Sequence, residues 1–525
     1  MGIRISELNP AIPPLSGSDR LPIVKGGATL QVPLSSVSSY VLNNTTSNAS
    51  LTSVQLSGNS VIKANNDTVA FNGPIYSGAC RSVFINGGQN ANNANNSNFI
   101  GYNSGNNATN ACRSTFIGSN AGAGGTYAQE SNFIGNNAGC AAQYASRSNF
   151  IGSDAGKNAS YASNSNFLGY GAGKNANSAS NSNFLGCFAG CGSSLASRSN
   201  FFGVFVGYGA CGANDSNFFG CGAGASAPNT CYSNFLGINS GCGSTYASNS
   251  NFFGSNTGRL SVHADHSNFI GADAGRSADC ADHSNFIGRG AGNYADNAHE
   301  SNFLGRRAGE WATNAYRSNF IGKCAGFCAT GACYSNFIGY KAGVYATYAN
   351  NSNFIGSNAG RCATNACYSN FIGLNNGIGA TNANNSNFIG RYAGYCATNA
   401  CYSNFIGLNA GNGATYANVS NFIGLNAGRC ATNACYSNFI GLNAGYSATN
   451  ANNAIFIGHC AGAGAINAAC SIAIGTCAIP TGPNQFVLGS AAFPLSVIPG
   501  GSLTSSVSGL KVMINGTFKT IPLLT

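Results

Sequence analysis

Two groups of residues in this 525-residue chain have types and spacings that could do chemistry. The first is a set of cysteines recurring five residues apart: Cys328 and Cys333, Cys362 and Cys367, Cys396 and Cys401, Cys430 and Cys435. Twenty-two cysteines in all would ordinarily indicate an oxidised, secreted scaffold. Met1 to Asn9 nevertheless carries no apolar export segment. The pairs therefore read either as disulfides formed after release or as free thiols acting as small apolar fillers. Cys-x4-Cys is not zinc-ligand spacing, and the segment lacks a histidine partner, so neither metal nor any other cofactor is expected. The second group is a column. Asp265 and His266 are followed by Asp282 and His283, then by His299 and Glu300 at the same interval, with Arg306, Arg307 and Trp311 immediately beyond. Stacked on successive rungs, the Asp, His and Glu groups could hold a divalent ion or present carboxylates to a sugar, and with the arginines and Trp311 the stretch could form a glycan-contact patch; the plainer reading is a solvated polar edge. Elsewhere the acids are scattered singly. Paired-carboxylate catalysis has no second location, and no catalytic residue is assigned.

These residues are positioned by a repeat. From Ser97 the chain reads SNFIG, then NSG or NAG, then a small-residue stretch such as ATNA, and restarts every 17 residues for 22 consecutive units ending at Cys470. A 15-residue unit beginning at Ser82 leads in, and SIAIG at Ser471 to Gly475 closes the array. A strict short period marks a solenoid, in which each unit buries its apolar face only by stacking on its neighbours. Numbered from the serine, position 3 is Phe in all 22 units, position 4 is always Ile, Leu or Phe, and positions 5 and 9 are always Gly. Position 15 is Ala in all but one unit, where Thr230 stands, and position 2 is Asn except at Thr115 and Ile455. Glycine after a β-prone tetrapeptide suits a coil corner. Seventeen residues accommodate short strands and tight turns but no strand, helix and two turns. The expected fold is all-β: a parallel β-solenoid of 22 coils, with strands near positions 2 to 5 and 12 to 15. At ~4.8 Å per coil the array would be roughly 105 Å long.

Adjacent large apolar residues at positions 3 and 4 must point to opposite faces of a strand. One column lines the coil and the other faces out, which exposes more apolar surface than a soluble monomer usually carries. A second copy is the economical cover, and three chains about one axis would hide every stripe. Phe99, Phe116, Phe303, Phe320 and Phe354, all at position 3, are taken as that oligomer face; failure of their replacement to disrupt assembly would point to position 4. A wider coil that turns both residues inward is the alternative. Asn at position 2 and Thr at position 13, the latter in nine consecutive units from Thr313 to Thr449, suggest hydrogen-bonded ladders. Alternation would place that threonine beside Ala at position 15, in the interior, which argues against an ice-binding surface.

Charged residues make up only 7% of the chain, and the net charge of +10 is spread as single Lys and Arg. That excludes a charge-rich disordered chain and offers no basic cluster for nucleic acid; mild attraction to anionic cell surfaces or glycans is the most it supports. No apolar run of membrane-spanning length occurs, so membrane insertion is not expected.

The ends differ from the array. Residues 1–50 read as a small attachment segment, residues 51–81 as transition strands, residues 82–475 as the repeat array and residues 476–525 as a β cap. Ile5 to Leu8 (ISEL), Asp19 to Val24 (DRLPIV) and Gly26–Gly27 resemble the N-terminal segments of bacteriophage tail-fibre and related virion proteins. In the cap, Asn484 to Ser490 and Gly509 to Leu524 read as strands, the latter around an Asn515–Gly516 hairpin turn. This ending, and the SNFIG units, are similar to those of viral fibres; Ser471 to Gly475 also resembles an element of trimeric autotransporter adhesin heads. No C-terminal membrane anchor or long coiled coil of the kind those adhesins carry is expected from these residues. The resemblance implies a virion structural protein: a homotrimeric tail fibre or host-attachment adhesin, joined through its N-terminus to a baseplate or another fibre protein and contacting a host glycan or protein. It would be made in the host cytoplasm and act outside. A cellular surface filament or adhesin stacking end to end is the alternative, and a β-helical carbohydrate-active enzyme a remote one.

Overall fold

The computed structural model describes residues 20–25, 28–33, 82–494, 509–514 and 517–522. The chain divides into two compact units, Met1–Pro74 and Ile75–Thr525. In the first, β1 (Arg20–Lys25) and β2 (Ala28–Pro33) pair antiparallel on either side of Gly26 and Gly27. The Ile5–Leu8 motif and the transition strands expected at 51–81 lie outside the described residues.

The second unit is built on one parallel ladder. It starts with β3 (Val83–Gly87), β4 (Asn98–Ser104) and β5 (Thr115–Ile117). Three-residue strands then recur every 17 residues, from β6 (Asn132–Ile134) to β26 (Ile472–Ile474). The last rung is β27 (Phe486–Leu488), and of these 25 strands each one before it pairs with the next in the chain. Register is that of the repeat, as in Asn336↔Asn353, Phe337↔Phe354 and Ile338↔Ile355. The protein is thus a parallel β-solenoid, and no helix occurs among the described residues. A separate antiparallel pair, β28 (Gly509–Ile514) with β29 (Thr517–Pro522), forms the expected hairpin.

Alternation along each strand decides the core. The position 3 rings are wholly buried and stack ring on ring, with centroids 4.7 Å apart for Phe337 and Phe354 and 4.8 Å for Phe354 and Phe371. Small residues at positions 8, 12 and 15, such as Ala359, Ala363 and Ala366, fill the rest of the coil. Glycine is required twice per turn for different reasons. A Cβ on Gly118, at position 5, would stand 2.5 Å from the Gly135 carbonyl oxygen of the next coil. One on Gly360, at position 9, would enter the ring of Phe354. Positions 7, 11, 14 and 17 are also left-handed but carry side chains, for instance Asn103, Asn107, Asn110 and Arg113, with φ between 50° and 56°. Asn tolerates that region better than most residues, which accounts for its abundance at the corners.

Two expectations about the elements are corrected. Positions 12 to 15 form no strand: only position 13 pairs, as an isolated bridge such as Thr347↔Thr364, because the left-handed residues at 11 and 14 bend the backbone away on both sides. The Asn484–Ser490 segment belongs to the solenoid rather than to a separate cap, since β27 pairs with β26 and Val487 packs against the core. The Gln485 N–H donates to Ser471 Oγ at 3.1 Å, continuing the serine ladder of the array.

Candidate functional site

That serine ladder, at position 1, is a polar seam inside the coil that column reading overlooked. Ser335 Oγ donates to the Ala349 carbonyl (2.6 Å) and accepts the Ser352 N–H of the next coil (3.2 Å), and the pattern repeats along the array. Each hydroxyl is satisfied twice, so full burial of the serine leaves no orphaned group. Its signal was present as a near-invariant serine preceding every strand.

Outside, the strands present positions 2 and 4. The asparagines form the expected ladder, Asn336 Nδ2 donating to Asn353 Oδ1 at 2.8 Å and Asn353 to Asn370 at 2.7 Å. Beside it runs the position 4 column, with Ile321 38% exposed and Ile338 half-buried. A shallow groove lies between the two columns, lined by Asn149, Ile151, Asn166, Leu168, Asn183 and Leu185. The oligomer-face assignment is therefore corrected: Phe99, Phe116, Phe303, Phe320 and Phe354 all have 0% exposure and cannot meet another chain. Position 4 is the outward stripe. Each coil has room for one large ring facing its small-residue wall, and position 3 takes it.

The threonines of position 13 also differ from expectation. Thr364, Thr381 and Thr398 are half-exposed, because the inward places fall to Ala at 12 and 15. The column faces outward over nine coils, held by backbone bridges from Thr313 to Thr449.

All 21 cysteines of the described residues are free thiols. Of the two readings open for the four Cys-x4-Cys pairs, the free thiol is the one found. Position 16 thiols instead donate to backbone carbonyls of the preceding coil, Cys367 Sγ to Tyr348 O at 3.0 Å and Cys401 Sγ to Asn382 O at 2.9 Å, with Cys333 and Cys435 doing the same. Of their partners at position 11, Cys362, Cys396 and Cys430 are exposed and Cys328 is half-buried. Burial pushes the Cys328 thiol up, with nearby Glu310 adding to the rise and Arg307 opposing it.

The decorated middle of the array separates into two edges. On one, Asp265 and Asp282 serve the backbone: Asp265 Oδ1 accepts the Ser248 N–H (2.6 Å) and Asp282 Oδ1 accepts the Asp265 N–H (3.0 Å). Asn384 does the same for Cys367 at 3.0 Å, so these carboxylates occupy an asparagine's structural place. Burial raises the Asp265 carboxyl pKa, the Ser248 N–H opposes the rise and the Asp282 charge adds to it. His266 and His283 stack face to face at 4.8 Å. Beyond them Arg317 bridges Glu300 at 2.6 Å and lies over Tyr316.

On the other edge, positions 6 to 11, Arg289, Arg306 and Lys323 are exposed at the same place on three successive coils. Arg307 is held by Glu310 at 2.5 Å and covers the Phe327 ring. Trp311, 48% exposed, stacks on Tyr294 at 4.1 Å. On the same edge an open depression is lined by Asp273, Arg289, Arg306, Arg307 and Glu310. The sequence marked Arg306, Arg307 and Trp311 as one decorated stretch; the coil period aligns Arg306 with Arg289 and Lys323.

Together these features define a tandem-repeat β-solenoid whose side chains form outward columns along the array. Among known proteins, the chain matches no family model and no curated sequence.

Proposed function

We propose that this chain is a non-catalytic structural fibre subunit, assembled with copies of itself along the position 4 stripe and acting as a virion tail fibre or host-attachment adhesin. The observation that carries the reading is the outward apolar column that runs the length of the array beside the asparagine ladder. A stripe of this extent is larger than monomers leave in water, and three subunits around one axis would cover it. Rigid length is what an attachment fibre needs, and the parallel ladder supplies it without a hinge. The Arg289, Arg306 and Lys323 row with the Tyr294–Trp311 stack is the surface we assign to a host glycan bearing anionic groups, since it joins positive charge to an aromatic platform.

The test is assembly. Ile321→Asp combined with Ile338→Asp, both at position 4, should convert the assembled protein to folded monomers in sedimentation velocity. A wild-type chain that remains monomeric at micromolar concentration would refute the reading, as would an assembled double variant.

A further inference from the structure

We infer that His459, Cys460 and Cys477, near the C-terminal end of the solenoid, form a binding site for a zinc-type divalent ion. Their nitrogen and sulfur atoms all lie within 4.8 Å of one another, the one such cluster of three among the described residues. Three features of the coil create it.

First, Cys460 and Cys477 both occupy position 7, and they are the one pair of cysteines among the described residues that share a repeat position on successive coils. Both are left-handed, with φ of 58° and 55°, and both N–H groups are tied to the preceding coil, Cys460 to Leu442 O at 2.7 Å and Cys477 to His459 O at 2.8 Å. Their side chains therefore leave the backbone in the same direction from a fixed scaffold. Second, His459 Nε2 stands 3.6 Å from Cys460 Sγ. A tetrahedral zinc with Zn–S of about 2.3 Å and Zn–N of about 2.0 Å sets its sulfur and nitrogen ligands about 3.5 Å apart. Third, the asparagine ladder of position 7 ends on this group. Asn409 donates to Asn426 (3.0 Å) and Asn426 to Asn443 (2.9 Å), but Asn443 Nδ2 is directed at Cys460 Sγ, 3.8 Å away. The ladder thus acts as an outer-shell donor to the first ligand.

Two thiolates and one imidazole leave a fourth position for water or another ligand. A disulfide fits the same scaffold less well. Parallel side chains in register keep their Cβ atoms near the coil rise of ~4.8 Å, beyond the Cβ separation of about 3.8 Å that a disulfide prefers.

Cobalt(II) is the probe. The reduced, chelator-stripped full-length chain, titrated anaerobically, should develop thiolate-to-cobalt charge transfer and tetrahedral d–d bands that saturate at one equivalent and bleach on adding zinc(II). Cys460→Ser with Cys477→Ser should abolish the bands, whereas Cys362→Ser, at an exposed thiol elsewhere, should leave them unchanged. His459→Gln should weaken binding at least about tenfold, the lower bound even for loss of an outer-shell partner. Absence of charge transfer in the wild-type chain, or its survival in the Cys460/Cys477 double variant, would overturn the assignment. So would peptide mapping of the unreduced protein that finds these two cysteines linked to each other.

Discussion

Truncating one ring of the phenylalanine column separates interior from exterior in a single comparison. Phe320 is fully buried and lies between Phe303 and Phe337, with ring centroids 4.8 and 4.9 Å away. Phe320→Ala leaves a void the size of a ring in a coil whose other walls are alanine and glycine. The backbone cannot collapse into it, because the ladder hydrogen bonds on either side hold the coil spacing. The expected cost is at the upper part of the usual range for such truncations, about 3–5 kcal/mol, since two stacking interactions are lost with the burial. Its neighbour Ile321 is 38% exposed, and Ile321→Ala in the monomer should cost only about 1 kcal/mol, scaled from about 1.5–3 kcal/mol for full burial of such a side chain. A solenoid opens locally, because each coil contacts only its neighbours. The assay is accordingly native-state hydrogen exchange, read on the amides of residues 301–351 at a concentration where the chain is monomeric. Phe320→Ala should accelerate exchange there by about two to three and a half orders of magnitude, the about 3–5 kcal/mol above at about 1.4 kcal/mol per tenfold, and leave distant coils unchanged. If Ile321→Ala opened these coils as much as Phe320→Ala, the assignment of position 3 to the interior would be wrong.

Two further predictions address the corners and the Asp column. Val419 holds φ at 55° although it is β-branched; Val419→Asn should raise stability by about 1 kcal/mol or more, measured as a higher denaturant midpoint with unchanged m-value. Asp265 has its carboxyl raised by burial, opposed by the Ser248 N–H and reinforced by Asp282. The folded state therefore holds its proton more tightly than the unfolded chain. The wild type should gain stability as pH falls through the raised folded value towards the ordinary carboxylate value. Asp265→Asn keeps the acceptor for Ser248, should be more stable at neutral pH, and should lose this part of the pH dependence in thermal melts followed from pH 7 to 4.

Period, the strand at positions 2 to 4 and fold class were legible in the residues. A 17-residue interval kept without insertion over 22 units permits only stacking, and the Phe–Ile and Gly columns located the strands and corners. The asparagine ladder at position 2 was legible for the same reason: an identical amide one rung above is a partner that repetition guarantees. Alternation, however, states only that positions 3 and 4 face oppositely. Which of them is interior depends on how the coil closes, and closure brings the bare Gly360 and the Ala359, Ala363 and Ala366 wall over the Phe354 ring. Position 13 escaped prediction because left-handed residues on both sides break the two-residue alternation on which its placement rested. The cysteines and charges needed the third dimension most. Cys-x4-Cys drew attention along the chain, yet those thiols turn to backbone carbonyls, while His459 and Cys460 meet Cys477 only because one full turn of the coil brings residues 17 apart into register. The repeat itself determined that columns would form; the left-handed corners and the single ring-sized space in each turn decided which columns are core, which face water, and which bring ligating atoms together.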